Sequence, residues 1–317
     1  MENFKLVKEK ILKAKEIIVA GHINPDGDSI GSLLSLGLGL EKLGKRVYMV
    51  SVDGVPKRYV LLPGANRIIK KIDKSCDLAI AVDCSNKEIL GKTFKAFRKA
   101  KDILEIDHHD FRRSFGNIHF IDHKAAAVGE LIYEILKELK IDITRDIAQN
   151  LLTSIVVETD SFSLPNVRFL TFEVCAELIK QGVDFYKLID MVFWSKTKES
   201  AILSGICMTR CKFLKNNRIV WSMITRKDFD KIGGKDEDVD PVADQMRSIK
   251  DVQIAVLFRE KEKNFLRVSL RSKNRINVAS IAEIFGGGGH FDVAGCQIPN
   301  NKNYINKLLK LTKDLLD

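Results

Sequence analysis

Four short apolar runs in this chain each lead into a carboxylate or an imidazole, and that pattern restricts the fold more than any other feature. Ile17-Ile18-Val19-Ala20 runs into His22-Ile23-Asn24-Pro25-Asp26-Gly27-Asp28, and Leu78-Ala79-Ile80-Ala81-Val82 into Asp83. Ile103-Leu104-Glu105-Ile106 leads to Asp107-His108-His109, and the apolar stretch 151–157 to Thr159-Asp160. In an open parallel sheet, ligands bind outside the carboxyl ends of the strands. Four segments that deliver Asp and His to one edge therefore describe a metal site on an α/β scaffold.

The rest of the chain fits that scaffold. Phe4, Val7, Ile11 and Leu12 predict a helix over 4–14, residues 29–40 a Gly- and Leu-rich helix, and 46–50 a second strand. Strand and helix alternate to about residue 185, the signature of a parallel sheet. Residues 145–157 are ambiguous, although Ile147, Leu151, Leu152 and Ile155 fit a helix better than a strand. Residues 190–207 read as one connecting helix. After it the texture changes to a hairpin around Asn216-Asn217, strands at 253–258 and 265–270, a short helix over 277–285 and an amphipathic helix over 308–316. The expected organisation is an N-terminal parallel-sheet domain over 1–190, a linker helix over 191–210 and a smaller α/β domain over 211–317, with the active site in the cleft between the domains.

Composition narrows the setting. No apolar run approaches the roughly 18 residues of a membrane span, and the N-terminal residues lack a signal-peptide core, so the expected compartment is the cytoplasm, with no membrane partner. The six cysteines show no zinc spacing and read as reduced and mostly structural. A formal net charge of +10 favours a phosphate-bearing substrate once a metal site is in view.

The candidate ligands are His22, Asp26, Asp28, Asp83, His108 and Asp160. Taken singly, each has a plain structural reading: a turn at Asn24-Pro25-Asp26-Gly27, a satisfied polar histidine, a helix cap. Their conjunction is what overturns those readings. Imidazole and carboxylate without thiolate suit Mn²⁺, Fe²⁺, Co²⁺ or Zn²⁺, and six ligands with one bridging suit a pair of ions. Four carboxylates balance two divalent ions, so a polyanionic substrate needs basic groups from elsewhere. Arg271-Ser272, at the end of a strand, offers a guanidinium for phosphate. The glycines Gly286 to Gly289 before His290 suit a backbone that approaches a ligand closely, with a flexible hinge as the alternative. His108 and His109, adjacent in an extended segment, are expected to point to opposite sides. His119 and His123 read as peripheral, His123 being the nearer to the site.

These segments resemble the four motifs of the DHH phosphoesterase superfamily. Arg271-Ser272, Gly287-Gly288-Gly289-His290 and Ala294-Gly295 resemble its DHH-associated C-terminal domain of the GGGH type. The similarity spans both domains in order and is nearest to the nanoRNase and pAp-phosphatase-like enzymes, which include cyclic di-AMP and pApA phosphodiesterases. The resemblance implies two Mn²⁺ ions, with Co²⁺ or Mg²⁺ as substitutes. It assigns His22, Asp26 and Asp83 to one ion, and Asp28, Asp83, His108 and Asp160 to the other. It gives His109 a role at the phosphate or in proton transfer, and Asp107 the role of orienting a ligand. Arg271, Ser272, Gly287, Gly288, Gly289 and His290 fall to substrate binding. The implied activity is hydrolysis of short RNA or dinucleotides to mononucleotides by a metal-generated hydroxide, with pAp phosphatase as the alternative; a homodimer is left open. Two departures stand out. The fourth motif reads Glu158-Thr159-Asp160-Ser161-Phe162 where Thr-Asp-Thr-Gly is frequent, and Ala127-Val128 replaces a frequent Ser-Thr pair.

Three rivals fit less well. Family II pyrophosphatases carry a Ser-Arg-Lys-Lys-Gln type signature that is absent here, and RecJ-type exonucleases need an OB-fold for which the chain is too short. A nucleotide sensor with a dead catalytic domain has no need of an intact ligand set.

Overall fold

The computed structural model describes the chain apart from Met1, Phe111, Lys263, Asn274, Arg275 and His290, and describes the backbone alone at Glu2, Asn3, Lys261 and Glu262. The chain divides into two units, Met1–Ser195 and Lys196–Asp317.

The first unit is built on five strands: β1 (Glu16–Ala20), β2 (Arg46–Val50), β3 (Leu78–Val82), β4 (Asp102–Asp107) and β5 (Ile118–Ile121). They pair in the order β2-β1-β3-β4-β5, all parallel. Alternation along the strands feeds two apolar layers. Ile17, Val19, Leu78, Ile80, Val82, Leu104 and Ile106 face the main core, while Ile18, Ala20, Ala79 and Ala81 face a smaller one with Phe97. The helices are α1 (Glu2–Lys13), α2 (Gly27–Lys42), a single turn α3 (Phe94–Phe97), α4 (Val128–Glu138), α5 (Arg145–Glu158), α6 (Phe169–Ile179) and α7 (Phe185–Ile189). α2 and α5 lie against each other so closely that a Cβ on Gly31 would stand 2.4 Å from the Asn150 carbonyl oxygen. Only glycine permits that approach.

The second unit places α8 (Lys198–Thr209), α9 (Arg226–Ile232) and α10 (Val242–Arg247) on one face of a mixed sheet, and α11 (Ala279–Ile284) and α12 (Lys302–Asp314) on the other. Its strands are β6 (Lys212–Leu214), β7 (Ile219–Ile224), β8 (Ile254–Glu262), β9 (Phe265–Ser272), β10 (Gly288–Gly289) and β11 (Val293–Pro299), in the order β10-β11-β9-β8-β7-β6. Along β8, Ile254, Val256 and Phe258 face α11 and α12, while Ala255 and Leu257 face α8 to α10.

The expected α/β architecture, a parallel-sheet unit followed by a second sheet unit, is the one observed. Residues 145–157 are helical, and Asn216 and Asn217 turn the β6–β7 hairpin with φ +52° and +65°. The single helix expected over 190–207 is not formed. A π-turn at Asp190–Trp194 ends at Ser195, and α8 starts afresh where Thr197 accepts a hydrogen bond from the Ser200 N–H. All six cysteines are unpaired, and no described helix is long and apolar enough to cross a membrane.

Candidate metal centre

Strand register brings three of the four motifs together. Ala20 pairs with Ala81 and Val82 with Ile106, so His22, Asp83 and Asp107-His108-His109 leave the sheet at one edge. Asp83 takes a left-handed backbone, φ +58°, and its N–H donates to the Ile106 carbonyl at 3.0 Å. Non-glycine residues hold such a conformation only where the surroundings enforce it, often at functional sites.

The buried Asp83 carboxylate lies between two donor groups. On one side are His22, whose Nε2 is 3.2 Å from Asp83 and 3.8 Å from Asp26, and Asp26 itself, the N-cap of α2. On the other are His108 and His109. Asp83 is common to both groups.

Asp28, in the first turn of α2, is fully buried. Ser32 and Ser154 hydroxyls donate to one oxygen at 3.0 and 2.6 Å, the Val128 N–H donates to the other at 2.9 Å, and His108 Nε2 stands 3.7 Å away. His108 Nδ1 donates to the Ala125 carbonyl at 3.0 Å, which leaves Nε2 as the atom that could hold a metal. The His109 ring is fixed differently, with Nδ1 donating to Asp107 at 2.6 Å. The two rings do not point to opposite sides. They meet edge to face at 5.2 Å, beyond the end of β4 at Asp107.

The fourth motif does not present Asp160. α5 runs through Glu158, and Asp160, Ser161 and Phe162 then turn with φ +44°, +55° and +66°, leaving Asp160 exposed. Glu158 takes the place expected of it, with a carboxylate oxygen 3.7 Å from His108 Nε2. The signal was present in the helical period. Glu158 lies one turn beyond Ser154, whose hydroxyl binds Asp28, whereas residue 160 lies past the end of the helix.

The electrostatics suit divalent cations. Burial, then the charge of Asp83, pushes the Asp28 carboxyl above the usual carboxylate range; burial, then the charge of Asp28, pushes Glu158 well above it. His22 goes up to about 11: its burial opposes the charged form, but Asp26 and Asp83 outweigh that. Crowded carboxylates that draw a proton onto themselves and onto an imidazole are a donor set that a cation would relieve. The residues fit a pair of such ions, with oxygen and nitrogen donors and no thiolate.

Other expectations fare variously. His123 is half-exposed, 3.9 Å from Asp110 and outside both donor groups. In the second unit, Arg271 Nε bonds both oxygens of Asp244 at 3.0 and 3.1 Å, so its guanidinium is already oriented. Ser272 turns inward and donates to the Ile276 carbonyl. A Cβ on Gly287 or Gly289 would meet the carbonyl oxygens of Gly295 or Val293 at 2.2 and 2.4 Å, so close packing on β11 accounts for both glycines. Among the described residues nothing crowds Gly288, and His290 lies outside them.

Comparison with known proteins supplies the family and the fold. Residues 16–155 match the DHH family, N-terminal domain, and residues 216–317 the DHHA1 domain. The chain is 28% identical to the bifunctional oligoribonuclease and PAP phosphatase NrnA of Thermus thermophilus, over 94% of this chain and 89% of the relative. It is 26% identical to the cyclic-di-AMP phosphodiesterase GdpP of Bacillus subtilis, over 98% of this chain and 49% of that protein. The crystal structure of an exopolyphosphatase-related protein from Bacteroides fragilis superposes with a TM-score of 0.92 at 21% identity, covering 98% of this chain and 95% of that one. With both family domains matched in order, the chain belongs to the DHH phosphoesterase family.

Proposed function

We propose that this protein is a two-metal phosphodiesterase, with Mn²⁺ as its working ion, that hydrolyses short oligoribonucleotides or dinucleotides such as pApA to mononucleotides. The observation that carries this reading is the Asp83 carboxylate, shared by the His22–Asp26 group and the His108–His109 group. His22, Asp26 and Asp83 would hold one ion, and Asp28, Asp83, His108 and Glu158 the other. When bound, such a pair lowers the pKa of a shared water and offsets charge on phosphoryl oxygens.

The chain's own residues supply orientation and proton control. Ser32, Ser154 and the Val128 N–H aim Asp28, and the Ala125 carbonyl aims His108. His109, with Nδ1 committed to Asp107, can offer only Nε2 to a phosphate oxygen or a leaving group. Four carboxylates against two divalent ions leave the centre near neutral, so affinity for a polyanion must come from basic groups. Arg271, oriented by Asp244, is the candidate on the second unit, together with His290, which follows the glycines Gly286 to Gly289 in sequence.

A second reading, removal of phosphate from 3′,5′-bisphosphate nucleotides (pAp), is favoured by the bifunctional name of the Thermus relative. Rates with Mn²⁺ on pApA, cyclic di-AMP, short RNA and pAp, measured side by side, separate the readings. Turnover of pApA or short RNA is the expected result; turnover of pAp alone would favour the second, and none on any of the four would overturn both.

A further inference from the structure

Two buried carboxylates lie on one face of β4. Glu105 and Asp107 are two residues apart in the strand, hence on the same side of the sheet, and both are fully buried. Such a pair persists only if something compensates its charge. The compensation is Arg112, whose side chain is itself nearly buried. Its Nε donates to Asp107 Oδ2 at 3.0 Å, and its Nη2 donates to Glu105 Oε2. The other Glu105 oxygen accepts the backbone N–H groups of Phe115, at 2.5 Å, and Gly116. Glu105 therefore ties down the far end of the segment that begins at His108, and Arg112 spans its middle.

The consequence falls on Asp107. With Oδ2 occupied by the guanidinium, Oδ1 is directed at the His108 N–H, 2.9 Å away, and at His109 Nδ1, 2.6 Å away. An ionised carboxylate only accepts, so Nδ1 must carry the proton. We propose that Glu105 and Arg112 are positioning residues: acting through Asp107, they hold the His109 ring in one orientation with Nε2 as its working edge. Among the described residues, the partners of Glu105 and Arg112 are Asp107, Ser114, Phe115, Gly116, His119 and each other, none of them a proposed metal ligand. A guanidinium suits the task because its planar fork bonds two carboxylates at once, which an ammonium does not reproduce. A merely structural ion pair would serve the fold equally well with Asp107 rotated.

The inference rests on the proposed role of His109 in phosphoryl chemistry, and its test has one readout that does not. The variants are Arg112→Ala, Arg112→Lys and the isosteric Glu105→Gln, which carries the test if Arg112→Ala does not fold. For Arg112→Ala and Glu105→Gln, kcat on pApA should fall by about 10- to 100-fold, the usual consequence of losing an orienting partner, with KM and bound Mn²⁺ unchanged. Arg112→Lys should recover part of that loss. In the metal-free protein with ¹⁵N-labelled histidine, the downfield His109 Nδ1–H resonance, assigned by its absence in His109→Asn, should be present in the parent and broadened away in Arg112→Ala and Glu105→Gln. Folded variants that keep both kcat and this resonance would overturn the proposal, as would parallel loss of kcat and bound Mn²⁺. If the parent itself fails to turn over any nucleotide, the proposed function falls, while the resonance still decides the positioning claim.

Discussion

The Glu158 carboxylate stands 3.7 Å from Nε2 of His108, while Asp160, two residues later, is on the surface. A helix that continues through residue 158 explains the difference, because it carries the Ser154 face one turn further toward Asp28. Glu158→Gln is therefore expected to weaken binding of one metal ion and to cut kcat by more than the roughly 10- to 100-fold typical of outer partners. Asp160→Asn should leave metal content and turnover near those of the parent. Metal analysis by mass spectrometry checks both, and loss of metal in Asp160→Asn with retention in Glu158→Gln would reverse the assignment.

Much of the site was legible because strand ends are legible. β1, β3 and β4 are short apolar runs, and parallel pairing aligns their carboxyl ends, so His22, Asp83 and His108 could be read from sequence alone. The fourth motif follows a helix, where phase rather than the end of a run decides which residue faces inward, so the apolar run alone points to Asp160 and carries no signal for Glu158. The Glu105–Arg112 pair gave no periodic signal, since its residues join a strand to an irregular segment and meet only through side chains. The inward turn of Ser272, whose hydroxyl donates to the Ile276 carbonyl, likewise depends on the path of the chain beyond the strand end and carries no sequence signal.

Asp83 is the residue whose loss should be most complete. It sits 3.2 Å from His22 and belongs to both donor groups, held by a strained backbone rather than by a flexible loop. Asp83→Ala should lose both ions and essentially all turnover. In the parent, a ligand that binds only the folded state stabilises it by about 2.7 kcal/mol at a concentration a hundred times its Kd. Thermal unfolding with and without Mn²⁺ should therefore show a clear rise in Tm for the parent and a much smaller one for Asp83→Ala. Near-normal activity in the variant would remove Asp83 from the centre.

The two adjacent histidines should behave unequally even though their rings touch. His108 uses Nδ1 on a carbonyl and presents Nε2 between Asp28 and Glu158, whereas His109 commits Nδ1 to Asp107. His108→Ala is expected to lower metal occupancy. His109→Ala should retain the ions and lower kcat, by about 10²- to 10⁴-fold if it transfers a proton. Equal loss of metal in the two variants would refute the division.

The grip on substrate phosphate should separate from the metal centre. Asp244 holds Arg271 through Nε, so the guanidinium is pre-set, and little side-chain freedom remains to be lost on binding. Arg271→Ala and His290→Ala should keep both ions and lower kcat/KM toward pApA. Losing one charge-assisted hydrogen bond costs about 1.5–3 kcal/mol, or about ten- to more than a hundredfold. Asp244→Asn should lower kcat/KM less, because it loosens Arg271 without removing it. On bis-p-nitrophenyl phosphate, an activated ester with no second phosphate to hold, all three variants should stay close to the parent. Equal losses on both substrates would mean that these residues act in folding or at the metals, and the phosphate role of Arg271 would then have to be abandoned.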